Sequence, residues 1–383
     1  MQPIPYSKQE ITEDDIQAVK EVLQSDFLTQ GPKVAEFEKK FAQYVGARYA
    51  VAVSNGTAAL HLSVKALQGE KKTKIITTPI TFSASANCIR YCDCTVDFAD
   101  ISPDTLLIDT EKIYRLLKSA PKGTYSGIIP VDFAGYPVNM EVIRNIADEF
   151  GLWIVEDACH APGAWFTDSK GVRQQCGNGN YANLTVFSFH PVKHIATGEG
   201  GMITTNDETL YKKLLLLRTH GITKDPEMMH ENHGGWYMEM QELGYNYRMS
   251  DIQAALGISQ LNKADKRLMR RIEIAHRYNE AFKNSSIKTI IPQDYLQHAY
   301  HLYVIQVEKR KEFYDYLRAN NIYSQVHYIP VHLMPYYKKL GWKKGDLPVA
   351  EKYYEQCLSL PMYPSLTDEQ QQYVIEKIKL FYH

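Results

Sequence analysis

Short runs of consecutive apolar and β-branched residues recur at 49–55, 74–79, 95–101, 127–133, 152–158, 184–189 and 201–206. They are continuous rather than alternating, the pattern of strands buried on both faces. Amphipathic stretches such as 57–67 and 140–150 lie between several of them and predict helices. That succession predicts an α/β layer fold around a mostly parallel, seven-stranded sheet.

Ahead of these runs, residues 12–25 predict a helix that Thr12 caps, with Glu13, Asp14 and Asp15 favourable in its first turn. Gly31 and Pro32 then open a second helix, in which Val34, Phe37, Phe41, Tyr44 and Val45 share one face and Gly46 is the stop. Asp26, Phe27, Leu28 and Thr29 form the loop between them. After about residue 250 the texture changes to one long helical stretch over 251–282. Strand-like segments at 301–307 and 322–331 follow, with helices over 311–320 and after Thr367. We therefore expect a large domain over 1–250 and a smaller α+β domain over 251–383.

Composition narrows the functional classes. A net charge of −1 with no long block of one sign gives no electrostatic case for nucleic acid or an anionic membrane. No apolar run is long enough to span a bilayer and the N-terminus lacks the order of a signal peptide, so a cytoplasmic protein is expected. The six cysteines are read as reduced thiols, and the Cys92 and Cys94 spacing matches no common zinc pattern, so no metal is expected.

Ligands on open α/β sheets collect at the carboxyl ends of the strands, and three such ends carry chemistry. After the run at 49–55, Gly56 and Thr57 open a helix whose free amides suit an anion; a plain N-cap at Ser54 or Asn55 is the alternative. The run at 152–158 ends in Glu156 and Asp157, so a carboxylate stands at the mouth of the sheet, with His160 three residues on. A lone histidine is more often a satisfied core residue. The third is YANLTVFSFHPVKHIATGEGG at 181–201, where Ser188 ends a strand and Lys193 follows in a glycine-closed turn. Most lysines are solvated surface charges, but a desolvated one loses its proton more readily and can condense with a carbonyl. A phosphate cradle, a carboxylate and an amine are the three anchors that pyridoxal 5'-phosphate (PLP) demands. Phe82 supplies a ring that could stack on the cofactor or could be plain core.

The ordered motifs LTQGPKVAEFEKKFA, SNGTAALHL, TTPITFSASAN, EDACHAPGA, FSFHPVKHIATGEGG and LGYNYRMSDIQAALG resemble the DegT/DnrJ/EryC1 sugar aminotransferases over nearly the whole chain. That resemblance implies an aspartate-aminotransferase-like fold and a PLP-dependent transaminase cycling through pyridoxamine phosphate. Laid on this sequence, it makes Lys193 the covalent lysine, Asp157 the partner of the pyridinium nitrogen and His160 the neighbour of the phenolic oxygen. Gly56, Thr57 and Ser188 would hold the phosphate and Phe82 would stack on the ring. Asn246 would reach the phosphate from the neighbouring subunit of a homodimer with shared active sites. Two departures stand out: Asn55 where a serine is common, and Pro191-Val192 before the lysine. Some relatives carry histidine at the lysine position and act as dehydratases, so Lys193 favours transamination.

Within the family, the motif combination most resembles the branch that aminates C4 of a UDP-linked 4-keto-6-deoxy-N-acetylhexosamine with L-glutamate, on the way to pseudaminic acid. Tyr6, Asp26, Phe27, Leu28, Thr29, Gln325, His327 and Tyr328 are the positions then expected at the sugar nucleotide, although 325–328 also reads as a simple edge strand. A 4-aminotransferase of bacillosamine or perosamine type and a non-catalytic PLP-binding regulator are the rival readings.

Overall fold

The computed structural model describes residues 2–68 and 72–382. The seven apolar runs become β1 (Tyr49–Val53), β2 (Lys74–Thr77), β3 (Thr95–Phe98), β4 (Tyr125–Ile129), β5 (Trp153–Asp157), β6 (Leu184–Ser188) and β7 (Gly201–Thr205). They form one seven-stranded sheet in the order β1-β7-β6-β5-β4-β2-β3. All neighbours are parallel except β7, which runs antiparallel to both β6 and β1. The segment from β6 to β7 contains no helix, and the chain turns back beside the strand it has left. Lys193 sits in that turn.

Helices cover the sheet. α1 (Glu13–Leu23) starts in a capping box between Thr12 and Asp15, and α2 (Pro32–Val45) ends where Gly46 takes a left-handed φ of 80°. α3 (Gly56–Gln68) is buried along most of its length, with Ala58, Ala59, Leu60, Leu62 and Val64 all out of water. Each of the larger side chains contributes roughly 1.5–3 kcal/mol. This packing pins the first turn of α3 at the carboxyl end of the sheet. α4 (Ala84–Tyr91), α5 (Thr110–Ser119), α6 (Met140–Phe150) and α7 (Glu208–Leu217) complete the layers.

The stretch expected as one helix over 251–282 is two, α8 (Asp251–Leu261) and α9 (Ala264–Phe282). The break at Asn262 and Lys263 lets the Lys263 ammonium turn to Asp15 at 2.7 Å and to Thr12 Oγ1 at 2.6 Å. Ala254, Ile258 and Leu261 of α8 share an apolar cluster with Phe37, Phe41 and Phe187, whereas Ile274 and Tyr278 of α9 belong to a second cluster with Phe313, Leu317 and Ile378.

The second cluster underlies a three-stranded antiparallel sheet of Lys288–Thr289, Tyr303–Gln306 and Cys357–Leu360, flanked by helices Arg310–Ala319 and Asp368–Tyr382. The segment expected as a strand over 322–331 is one only at Ile322–Tyr323, which pairs with Ile4–Pro5. Beyond it Gln325 forms a single bridge to Ser359, a cis peptide follows at His327-Tyr328, and 327 and 328 line the cavity over the large sheet.

Candidate active site

One cavity of about 760 Å3 opens over the carboxyl ends of the parallel strands. Gly56, Thr57, Phe82, Asp157, His160, Ser188, Lys193, Tyr6, His327 and Tyr328 all line it. Ten of the sequence-predicted residues thus converge from six separate stretches of chain.

At one end lies the first turn of α3. Asn55 caps the helix by accepting a hydrogen bond from Ala58 N at 2.8 Å, so the N-cap reading of this turn is correct. Capping does not compete with anion binding, because the Gly56 and Thr57 amides have no intrahelical acceptor and still point out of the helix end. Gly56 is demanded by space: a Cβ there would lie 2.9 Å from Cβ and 3.1 Å from Oγ of Ser188. Without that atom the turn closes onto the end of β6, and the Ser188 hydroxyl joins the cradle.

At the other end lies Asp157, 3 % exposed. Ser85 Oγ donates to its Oδ2 at 2.6 Å and the Cys159 amide to its Oδ1 at 3.2 Å. Among the described residues no cation forms an ion pair with it. A buried carboxylate with two donors and no counter-ion is set to receive a positive ligand atom. Glu156, the other acid of the pair, faces away because side chains alternate along a strand. It accepts from Thr185 Oγ1 at 2.7 Å and lies with Asp132 and Cys176, their ligand atoms within 4.8 Å of one another. Burial and the neighbouring Glu156 push the Asp132 carboxyl well up, and burial raises Glu156 as well.

Lys193 lies between the two ends. Burial pulls its pKa down to about 8, against the opposing pull of Cys159 and Asp157. The turn that carries it is pinned at both sides: Thr197 N donates to Phe189 O at 2.9 Å, Phe189 N to Gly200 O at 2.8 Å, and Lys193 N to His190 O at 2.8 Å. The amine therefore enters the cavity from a fixed base and needs little energy to shed its proton near neutrality.

His160 is buried, its Nδ1 accepting from Ala134 N at 3.2 Å and its Nε2 3.4 Å from the Tyr328 hydroxyl. Burial holds the ring neutral, its pKa well below the ordinary value, and so leaves an Nε2–H aimed at the cavity. Phe82 is 61 % exposed despite its apolar ring, which excludes the core reading and leaves a face free to stack.

Six expected residues do not line the cavity of this chain. Asp26, Phe27, Leu28 and Thr29 lie exposed between α1 and α2, where Leu28 O accepts from Asp251 N at 3.0 Å. Asn246 is exposed and bridges to Thr219. Gln325 is the edge-strand residue of the simpler reading: its backbone pairs with Ser359 at 2.7 and 3.2 Å and its side chain turns outward. Several lining residues were not anticipated, among them Ser85, Cys159, Tyr247 and His301. Ser85 carried a usable signal, since a small hydroxyl beside Phe82 is a natural donor to an acid across the sheet. His301 carried none beyond opening a strand-like run.

The profile of the DegT/DnrJ/EryC1/StrS aminotransferase family matches residues 9–379. The chain belongs to this family. It is 42% identical to the spore coat polysaccharide biosynthesis protein SpsC of Bacillus subtilis, over 98% of this chain and 96% of that one. It is 36% identical to the UDP-4-amino-4,6-dideoxy-N-acetyl-beta-L-altrosamine transaminase of Campylobacter jejuni, over 99% of each. Among solved structures it superposes on the Helicobacter pylori aminotransferase PseC, involved in the biosynthesis of pseudoaminic acid, with TM-score 0.90, 31% identity and coverage of 100% and 99%. The PLP form of the sugar aminotransferase Spr1654 of Streptococcus pneumoniae matches with TM-score 0.89, 29% identity and coverage of 99% and 98%. The family fold expected from the motifs is the one observed.

The residues present fit PLP. The amides at Gly56 and Thr57 suit its phosphate, Asp157 suits a protonated ring nitrogen, and Lys193 suits its aldehyde.

Proposed function

We propose that this PLP-dependent aminotransferase moves the amino group of L-glutamate to C4 of a UDP-linked 4-keto-6-deoxy-N-acetylhexosamine, giving UDP-4-amino-4,6-dideoxy-N-acetyl-β-L-altrosamine for pseudaminic acid. The observation that carries the chemistry is the convergence of Lys193, Asp157 and the Gly56-Thr57 turn on one cavity. The substrate rests on the Campylobacter jejuni and Helicobacter pylori relatives.

When bound, PLP supplies an electron sink for the negative charge that develops at the carbon losing its proton. Asp157 holds the pyridine nitrogen protonated, which deepens that sink before reaction begins. Lys193 takes the α-proton of glutamate as a base and, in the second half-reaction, delivers a proton at sugar C4 by the reverse route. A lysine near pKa 8 serves both directions at neutral pH. His160 donates its Nε2–H to the phenolic oxygen, and Thr57 and Ser188 fix the phosphate. Tyr6, His327 and Tyr328, on the wall facing the sheet, are placed to meet the sugar.

The protein acts as a homodimer with shared sites in this reading. Asn246 and the loop with Asp26, Phe27, Leu28 and Thr29 are exposed, and so are Trp236, Met238, Met240 and Leu243 on the neighbouring hairpin, an apolar surface suited to a second copy. Mixing Lys193→Ala with Asn246→Ala subunits is expected to recover part of the activity in hybrid dimers. No recovery in verified hybrids would place Asn246 outside the shared site.

We assign residues 1–250 to a large cofactor-binding domain and 251–383 to a small one, with α8 packing back onto α1 and α2. The described residues contain no helix long and apolar enough to cross a membrane. Soluble nucleotide-sugar and glutamate substrates suit the cytoplasm.

The likeness to SpsC supports a different sugar, so a panel of 4-keto nucleotide sugars, coupled to 2-oxoglutarate detection, is the test. The UDP-N-acetyl-4-keto substrate of the pseudaminic branch is expected to exceed a bacillosamine- or perosamine-type substrate by at least about tenfold in kcat/KM, a difference of roughly 1.4 kcal/mol. The opposite order would assign the chain to another branch. Binding of DNA with no glutamate half-reaction would favour a regulator.

A further inference from the structure

Lys193 Nζ faces a cluster of buried imidazoles, those of His160, His194, His301 and His327. Cys159 and Asp157 also act on the amine. Burial pushes all four histidines down, so none competes with the amine for a proton at neutral pH. Three of the rings are already committed. His160 Nδ1 accepts from Ala134 N, His194 Nε2–H donates to Ala299 O at 2.9 Å, and His327 Nδ1 pairs with Ser359 Oγ at 2.8 Å.

His301 differs. Its Nε2 lies 3.5 Å from Lys193 Nζ, the one polar atom among the described residues within hydrogen-bond distance of the amine. Its Nδ1 is buried without a partner, as is that of His194. A neutral imidazole has one proton, and a ring that accepts through Nε2 must carry that proton on Nδ1. The ring cannot swing away: its centroid is 4.3 Å from that of His160 and 5.8 Å from that of His194. Its backbone is clamped as well, since the buried Arg271 Nη1 donates to the carbonyl oxygens of Tyr300, His301 and Met362 at 3.1, 3.3 and 3.0 Å.

We propose that His301 is a positioning residue for Lys193: its Nε2 lone pair accepts a hydrogen bond from the ammonium, holding the freed side chain over the reacting carbon and retaining its proton between transfers. No covalent bond is made or broken at His301, and the proton stays on Lys193. The inference rests on Lys193 as the proton carrier and adds what steers it. A hydrogen bond to a charged group is strong enough to move an amine's titration noticeably.

The test uses the full-length chain freed of cofactor, with Lys193 acetylated by trace acetic anhydride over a pH series and read by peptide mass spectrometry. Only the neutral amine reacts, so labelling rises with pH, with a half-point expected near 8 in the parent. His301→Phe keeps a ring against His160 but has no acceptor, and its half-point is expected to fall by about one pH unit. His301→Gln restores an acceptor and is expected to return most of the shift. If the Phe variant fails to melt cooperatively, His301→Leu takes its place. An unchanged or raised half-point in the apolar variant, or equal shifts in the apolar and Gln variants, overturns the proposal. Labelling involves neither sugar nor cofactor, so an active Lys193→Ala enzyme would refute the proposed chemistry while leaving this result standing.

Discussion

Lys193→Ala is expected to abolish transamination, with kcat lower by at least about 10^4-fold, and to remove the visible absorption of the cofactor's covalent link to the protein. The size follows from two losses at one atom. The amine is the group placed to bond the cofactor aldehyde and also the group placed to move the proton, and among the described residues no second lysine lines the cavity. The neighbouring imidazoles do not substitute, because burial and the contacts described above hold them fixed. The fold should survive, since the turn is held by backbone hydrogen bonds of Phe189, Thr197 and Gly200. Removing a buried amine also relieves desolvation, so the melting temperature of the cofactor-free chain should hold or rise. Steady-state kinetics and an absorption spectrum check the prediction together; turnover within tenfold of the parent would end the assignment.

Asp157→Asn is expected to act in opposite directions on stability and function. The carboxylate is buried with Ser85 and the Cys159 amide as donors and, among the described residues, no cation within ion-pair distance. Burying a carboxylate without a counter-ion carries a desolvation cost, which the neutral amide avoids while keeping an oxygen acceptor. The cofactor-free variant should therefore melt at or above the parent's temperature. With cofactor, the fixed charge opposite the ring nitrogen is gone, and kcat should fall by about 10^2–10^3-fold, as for loss of one preorganised electrostatic partner. Melting curves with and without PLP test both halves. A variant that is less stable without cofactor yet near parental activity would make Asp157 a structural acid.

These contrasts show which parts of the molecule were legible in the residues. Continuous apolar runs revealed the sheet because both its faces are covered, and Lys193 stood out because it follows a strand end in a glycine-closed turn. The Asn55-Gly56-Thr57 turn was legible as a helix start but ambiguous in purpose, and the ambiguity was false: capping and anion binding use different atoms. What stayed hidden depends on contacts between distant segments. The pattern over 322–331 looked like a strand, yet after Ile322–Tyr323 the chain turns to deliver His327 and Tyr328 to the cavity while Gln325 points outward. The strand Cys357–Leu360 was missed because its partner Tyr303–Gln306 lies some fifty residues away, and its four residues carry no turn signal. His301 opened an ordinary strand-like run; only the meeting of that run with the Lys193 turn gives it a partner. The break between α8 and α9 likewise reflects a distant acid, Asp15, that no local pattern reveals.

The most direct measurement is reduction of the PLP-loaded protein with borohydride, followed by peptide mapping. The account predicts a single phosphopyridoxyl adduct, on the peptide that contains Lys193. An adduct on another lysine, or none from protein that shows full transaminase activity, would contradict it.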